Sequence, residues 1–296
     1  MSQLRWKVPI ITAAAVFAAA VTGCGGENSV DEAVQGKESD KAATTSKASV
    51  PAPEAIKSQG KITTCMDVSF PPMEFYEGAD TKKPIGFDVD LMSAVAGTMD
   101  VKAAFTPTSF DGLLPSLSSS RCDVVASGLF VTDERTKSFP AVPYLRSSRV
   151  LLVKEGNPGG IKGPDDLAGK TAATQSGTEY AKSLKKLNSE FAAAGKPKMR
   201  LQTYPKASDA VQQVVVGRAD AALTQDTEAA YRTSTQPGSF EIAYRYPASD
   251  VFGAYHRKNE AELGKALEAA MGKLREDGTL AKIAAKYKLP EDGVRP

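Results

Sequence analysis

The chain has 296 residues, of which 42% are hydrophobic, and this length suits two globular domains better than one. Its 37 basic and 35 acidic residues give a net charge of +2, so no excess of basic residues indicates nucleic-acid binding. One histidine and three cysteines provide no spacing typical of a metal site. We therefore expect neither a metal nor a cofactor.

The first 23 residues have the features of an export signal. Arg5 and Lys7 form a basic start, and residues 8–21 form an apolar stretch that is too short for a comfortable membrane span. Residues 21–24, Val-Thr-Gly-Cys, resemble the lipobox of bacterial lipoproteins, which implies cleavage before Cys24 and lipidation of its thiol. Lipid chains would hold the protein on the extracytoplasmic face of the cell membrane. The alternative is an ordinary signal peptide followed by an incidental cysteine.

The next segment, residues 24–55, has the composition of a tether. It is rich in alanine, serine, threonine and charged residues and nearly free of large apolar side chains. Such a segment cannot bury enough surface to fold, so we predict a disordered link between the lipid and the folded region. The folded region is expected to run from residue 56 to residue 290.

The first part of the folded region alternates strands and helices. Strands are predicted at residues 61–66, 101–105 and 123–126, and helices at residues 88–99 and 111–119. Helix 88–99 carries an apolar stripe at helical spacing, and strand 123–126 is a short β-branched run. This βαβαβ order predicts a parallel sheet with helices on both faces.

Two cysteines remain besides Cys24. Cys65 lies near the end of the first predicted strand, and Cys122 lies at the start of the third. Two such cysteines in an exported chain can form a disulfide. Their predicted positions at different strand ends place them too far apart to bond, so we expect free buried thiols.

A capped helix is predicted directly after strand 123–126. Thr132 is a natural N-cap, and Asp133 and Glu134 suit the first turn of a helix. Arg135 then lies at the mouth of the strand, where a guanidinium can grip a carboxylate with two parallel hydrogen bonds. The alternative is a surface arginine on a short helix.

A second alternation of strands and helices follows. Strands are predicted at residues 151–153, 170–174, 199–203 and 219–223, and helices at residues 165–167, 178–191, 208–216, 261–275 and 279–287. Two α/β units side by side predict a cleft between them, and ligands bind open α/β sheets at the carboxyl ends of the strands. Residues that could contact a ligand follow three of these strand ends, at positions 67–70, 128–135 and 224–226.

Several segments match the pattern of one known family. They are Gly-Phe-Asp-Val-Asp-Leu at 86–91, Phe-Asp-Gly-Leu-Leu-Pro at 110–115, the run 123–135, Asp-Leu-Ala-Gly-Lys-Thr at 166–171, Gln-Ser-Gly-Thr at 175–178 and Gly-Arg-Ala-Asp-Ala at 217–221. With these segments in order, the chain resembles family 3 of the bacterial extracellular solute-binding proteins, the polar amino acid family. The resemblance implies a periplasmic-binding-protein-like α/β fold. It also implies a role as the substrate-binding component of an ABC importer, without catalytic residues.

The resemblance implies a division into two lobes as well. Lobe 1 would contain residues 56–148 and 250–296, and lobe 2 would contain residues 149–249. Two strands crossing near residues 147–149 and 247–250 would form the hinge. The expected partners are a small zwitterionic ligand and a membrane permease with a separate ATPase subunit, and the expected oligomeric state is a monomer.

Specific contacts to the ligand follow from the same resemblance. Arg135 would hold the ligand carboxylate from lobe 1, and the backbone amides of Thr178 and Glu179 would hold it from the start of a helix in lobe 2. Asp226 and the carbonyl of Gly128 would accept hydrogen bonds from the ligand ammonium group.

Aromatic residues leave the choice of ligand open. Phe70 would stack against the ligand, while Asp67 and Phe110 would line its side-chain pocket. Phe130 stands where amino acid binders of the family commonly have a small hydroxyl residue. Phe130 either fills space or joins Phe70 and Phe110 in an aromatic box, which favours cations and resembles members that bind ectoine-type compatible solutes. A polar or basic amino acid is the first hypothesis, and a compatible solute is the second.

An exported dehydratase on the same scaffold is a further alternative. Such an enzyme needs a general acid placed over its substrate. The candidates are Asp67, Glu74 and Glu179, and ion pairing or helix capping explains each of them equally well.

Overall fold

The computed structural model of the chain describes residues 49–78 and 81–296, except for the side chains of residues 248 and 249. These residues belong to one compact unit. The predicted export signal, Cys24 and most of the predicted tether lie outside them. Among the helices that are described, none is long and apolar enough to cross a membrane.

The fold begins slightly before the expected residue 56. Val50 is buried, and its N–H donates a hydrogen bond to the carbonyl of Thr98 at 3.0 Å. Helix α1 (Glu54–Gln59) follows and buries Ile56. The end of the predicted tether is therefore part of the core.

The described residues form one eight-stranded sheet. Its strands are β1 (Lys61–Met66), β2 (Lys102–Pro107), β3 (Val124–Val125), β4 (Ala141–Lys154), β5 (Thr171–Gln175), β6 (Arg200–Tyr204), β7 (Ala221–Gln225) and β8 (Phe240–Tyr255). Their order across the sheet is β2-β1-β3-β8-β4-β7-β5-β6. Strands β1, β2 and β3 pair in parallel, as do β5, β6 and β7, whereas β4 pairs antiparallel with β7 and β8.

Strands β4 and β8 connect the two parallel units. They form one long antiparallel ladder, and the crossing predicted near residues 147–149 falls within it, where Ser147 pairs with Asp250. The register shifts between Ser148 and Val150, and such an irregularity lets a ladder bend. The predicted α/β fold, with two lobes joined by two strands, is confirmed. We call the β1–β3 side lobe 1 and the β5–β7 side lobe 2.

Helices cover both faces of the sheet, as the strand–helix alternation predicts. They are α2 (Phe87–Thr98), α3 (Leu113–Ser118), α4 (Asp133–Thr136), α5 (Glu179–Ala193), α6 (Ala207–Val215), α7 (Asp226–Thr235), α8 (Ala261–Glu276) and α9 (Thr279–Lys286). In lobe 1, Leu91, Met92 and Val95 of α2 share a buried core cluster with Leu267 and Met271 of α8. The C-terminal helices therefore return to complete the first lobe.

The prediction of free thiols is wrong, because Cys65 and Cys122 form a disulfide with their Cα atoms 5.7 Å apart. Strands β1 and β3 are neighbours, and the chain enters β3 directly beside β1. The N–H of Asp123 donates to the carbonyl of Thr63 at 2.8 Å, and the N–H of Thr63 donates to the Asp123 carboxylate at 2.8 Å. These two bonds bring Cys122 alongside β1 near Cys65, which strand-end positions alone do not reveal.

Candidate ligand-binding cleft

A cavity lies between the two lobes at the carboxyl ends of their parallel strands. The space between its walls amounts to about 530 Å³, a figure that includes space open to solvent. Its walls are formed by Asp67, Phe70, Glu74, Phe110, Ser127, Gly128, Phe130 and Arg135 from lobe 1 and by Gln175, Thr178, Glu179, Tyr180, Ala207, Ala210, Val211, Ala222, Leu223, Thr224 and Glu228 from lobe 2. All of the predicted ligand-binding residues except Asp226 line this cavity.

Arg135 is fixed on the lobe 1 wall by the start of α4. The Thr132 hydroxyl accepts a hydrogen bond from the Arg135 N–H at 3.3 Å, as the predicted N-cap requires. The Arg135 side chain donates to the carbonyl of Phe130 at 2.9 Å and lies 3.8 Å from the Glu179 carboxylate across the cleft. A guanidinium has five N–H donors, so these contacts leave donors for a carboxylate.

The N-terminus of α5 faces Arg135 from lobe 2. Thr178 caps this helix by accepting a hydrogen bond from the Ala181 N–H at 3.3 Å. The first N–H groups of a helix have no partner within the helix and lie at the positive end of its dipole. A carboxylate between Arg135 and this helix end would therefore meet positive potential from both lobes.

Asp226 lies outside the cavity wall. It is the first residue of α7, its carboxylate accepts a hydrogen bond from the Ser147 hydroxyl, and it forms an ion pair with Arg245. Both partners belong to the strands that join the lobes. The acidic residue that α7 places in the cavity wall is Glu228, two residues further along the chain.

Two polar residues of lobe 2, Gln175 and Glu228, line the cavity although neither was among the predicted ligand contacts. Gln175 ends β5 and donates to the Asp67 carboxylate at 2.5 Å across the cleft. Glu228 is fully buried, and it pairs with Arg232 at 3.1 Å and accepts from the Thr224 hydroxyl. Burial raises the pKa of Asp67 and of Glu228 above their usual values, although these partners oppose the rise. Gln175 was detectable as a polar residue at a strand end, whereas the orientation of Glu228 depends on where α7 begins.

The lobes touch each other, so the cleft is closed. The Ala207 N–H donates to the Ser69 hydroxyl at 3.3 Å, and Lys182 pairs with Glu134 at 2.6 Å. Gly177, just before α5, has φ +71°, and a Cβ added there would lie 1.7 Å from a carboxylate oxygen of Asp111 in lobe 1. Glycine is therefore required at this position for the closed contact.

Neighbouring side chains cover the ring of Phe130. It stacks on Phe252 with ring centroids 5.3 Å apart, meets the edge of Tyr180 at 5.4 Å, and has the Arg149 guanidinium over it at 5.3 Å. The Arg149 guanidinium is the kind of cation that an aromatic face attracts. These contacts favour a packing role for Phe130 over a place in an aromatic box for the ligand. Phe70 and Phe110 remain in the wall.

The described residues contain no cluster of three or more histidine, cysteine or acidic side chains arranged to hold a metal ion. The cavity wall instead combines one arginine, several carboxyl groups, a helix N-terminus and aromatic surfaces. This combination suits a small organic molecule that carries both a carboxylate and a cationic group.

Two α/β lobes closing over such a cavity define a solute-binding protein with the periplasmic-binding-protein fold. The sequence profile of the bacterial extracellular solute-binding proteins, family 3, matches residues 62–290, and the chain belongs to this family.

Three comparisons place the chain among known proteins. It is 30% identical to the L-cystine-binding protein TcyJ of Escherichia coli K12 over 233 residues, which cover 78% of this chain and 84% of that protein. It is similar to the structure of the amino acid ABC transporter substrate-binding protein AbpA of Streptococcus pneumoniae bound to L-arginine (TM-score 0.72, 28% identity, 79% and 97% covered). It is also similar to an ancestral amino acid-binding protein described as a precursor of cyclohexadienyl dehydratase (TM-score 0.71, 30% identity, 79% and 97% covered).

Proposed function

We propose that the protein captures a polar or basic amino acid outside the cytoplasm and delivers it to the permease of an ABC importer. The observation that carries this proposal is the placement of Arg135 opposite the N-terminus of α5, which together form a two-sided carboxylate site. Lipid on Cys24 would keep the protein at the membrane surface, and lobes bounded near residues 148 and 250 would open and close around the ligand.

The charge of the cavity wall supports a ligand with additional positive charge. Arg135 is the one basic residue among the described residues of that wall, whereas Asp67 and Glu179 are acidic and the third carboxylate, Glu228, is paired with Arg232. Asp226 is already paired with Arg245, and Glu179 with Lys182, so Asp67 and the Gly128 carbonyl are the better candidates to receive ammonium or guanidinium groups. An arginine-bound structural neighbour and a cystine-binding relative are consistent with a long amino acid.

Calorimetric titration with a panel of ligands tests this proposal. L-arginine, L-lysine, L-ornithine, L-cystine, L-glutamine and ectoine would each be titrated into the folded protein, and we expect micromolar or tighter binding of at least one amino acid. NMR spectra of the same mixtures should show the ligand unchanged, which separates a binding protein from a dehydratase. Binding of ectoine alone would favour the compatible-solute alternative, and new product signals would favour the enzyme.

The closed contact at Gly177 gives a test of lobe closure. In Gly177→Ala the added methyl group meets Asp111, and such overpacking costs about 1–3 kcal/mol, so we expect the affinity for the amino acid to fall by about 5- to 150-fold. Calorimetry would measure this loss. Closure is expected to recover in the double variant Gly177→Ala/Asp111→Ala.

The matched control is Gly195→Ala. Gly195 has φ +67°, close to that of Gly177, but nothing lies within 4 Å of an added Cβ. The control carries the same backbone strain without the contact, so its ligand affinity should equal that of the wild type. Equal affinities for Gly177→Ala and the wild type would contradict a closed ligand-bound state of this geometry.

A further inference from the structure

Two carboxyl groups lie together beneath the cavity. Glu74 precedes α2, Asp88 lies in its first turn, and both are 0% exposed. The Ser127 hydroxyl donates to Oε1 of Glu74 at 2.9 Å, while the Tyr144 hydroxyl and the Gly128 N–H each donate to Oδ2 of Asp88 at 2.8 Å. Each carboxyl group therefore has one well-partnered oxygen.

The second oxygen of each group lacks a donor. Oε2 of Glu74 and Oδ1 of Asp88 are buried and receive no hydrogen bond from any described residue. Leaving one buried polar atom without a hydrogen bond costs about 1–3 kcal/mol. Two neighbouring carboxyl oxygens without a donor therefore need an explanation. The two groups are neighbours, because the Asp88 N–H donates to the carbonyl of Met73, the residue before Glu74, at 2.9 Å, and the consecutive residues Ser127 and Gly128 donate to their side chains. A single proton between the two groups would satisfy both oxygens.

The surroundings disfavour two negative charges. The ionisable groups facing Glu74 are Asp88 on α2, Asp67 at the end of β1 and the hydroxyl of Tyr144 on β4. Burial, together with the charge of Asp88, raises the pKa of Glu74 well above its usual value. Burial raises the pKa of Asp88 to about 6, while its bonds to Gly128 and Tyr144 favour its charged form. Asp88 is therefore the partner that ionises first.

We propose that Glu74 and Asp88 share one proton, with Glu74 as the neutral donor, and that this pair positions the floor of the ligand cavity. The Asp67 N–H donates to Ser127 Oγ at 2.9 Å, and Ser127 in turn donates to Glu74. At the other end, Asp88 holds the Gly128 N–H. Glu74 is thus a positioning residue for Asp67 and Gly128, and the ligand-binding part of this inference rests on the proposed function.

The inference predicts how stability changes with pH. An acid whose pKa is higher in the folded state than in the unfolded chain supports folding at low pH, and this support is lost as the pH rises toward the folded-state pKa. Glutamine at position 74 keeps the acceptor for Ser127 and a donor for Asp88 but does not titrate. Above about pH 5, the ratio of the folding equilibrium constant of Glu74→Gln to that of the wild type should therefore rise with pH, by up to about tenfold for each pH unit.

Urea unfolding of the full chain at several pH values, without ligand, tests the pair. We expect Glu74→Gln to be as stable as the wild type or more so at neutral pH, and Glu74→Ala to be less stable than both. Glu228→Gln is the matched contrast, because the fully buried Glu228 is paired with the half-buried Arg232 and loss of its charge should destabilise the protein. A Glu74→Gln variant that fails to fold, or that shows no gain over the wild type with rising pH, would overturn the inference.

A second measurement addresses ligand positioning. With L-arginine as the probe, Glu74→Gln should bind within about threefold of the wild type, whereas Glu74→Ala should bind at least about tenfold more weakly. Weak binding by Glu74→Gln would mean that a charged Glu74 contacts the ligand and would overturn the positioning role. If no amino acid binds the wild type, the proposed function fails, and the stability comparison still decides whether the proton is shared.

Discussion

Replacing Arg135 with alanine should remove high-affinity amino acid binding, with a loss of about 3–4 kcal/mol, or several hundredfold in the dissociation constant. The substitution leaves the ligand carboxylate with the helix N-terminus alone, inside a largely buried cleft. It also removes the guanidinium that faces Glu179 at 3.8 Å, which leaves Lys182, 3.0 Å from Glu179, as the remaining cation at that carboxylate. Calorimetric titration of the wild type and the variant measures the change.

Two further variants make the Arg135 experiment specific. Arg135→Lys keeps the charge but loses the planar pair of donors, so its affinity should lie between those of the wild type and the alanine variant. Arg121→Ala removes an exposed arginine away from the cavity and should bind like the wild type. Unchanged affinity in Arg135→Ala, with a normally folded protein, would show that the carboxylate is held elsewhere.

Loss of the disulfide is expected to have the largest effect on stability. The bridge spans 57 residues of sequence, and closing a loop of this length stabilises a fold by about 4 kcal/mol in the chain-entropy treatment. The double variant Cys65→Ser/Cys122→Ser should lose about this much free energy of unfolding, as measured by urea denaturation. Reducing the wild type with dithiothreitol should produce a similar loss.

The disulfide lies within lobe 1, and neither of its cysteines lines the cavity. The serine variant should therefore keep the ligand affinity of the wild type at temperatures where it remains folded. A stability equal to that of the wild type would contradict the bridge. A large loss of affinity in the folded variant would show that the bridge also shapes the cleft.

Local patterns in the sequence were sufficient to predict most of the fold. The strands β1 and β5 and the helices α2 and α5 follow from apolar periodicity, and Thr132 is the N-cap that its residue type and position indicate. The joining strands β4 and β8 were predicted only in short pieces. Charged residues such as Arg146, Arg149 and Arg245 interrupt their apolar pattern, and their extended conformation is fixed by pairing with each other.

The parts of the site that could not be predicted depend on contacts between residues that are distant in the sequence. The cavity wall contains Arg135, Thr178 and Phe70, for which the family resemblance implies ligand contacts. The sequence does not show that Asp226 pairs with Arg245 or that Arg149 covers the ring of Phe130, because both contacts depend on how β4 and β8 pass each other. The disulfide was missed for the same reason, since it depends on the pairing of β1 with β3.

The route of the chain through the sheet has a consequence for the order of folding during synthesis. Strands β5, β6 and β7 come from one continuous stretch, so lobe 2 can assemble as soon as that stretch is available. Lobe 1 must wait for α8 and for the return of β8 beside β3, and contacts this distant in sequence form slowly. The part of lobe 1 that contains β1 and β2 is therefore among the last to reach its final packing. Its apolar surfaces need protection until α8 and β8 are available.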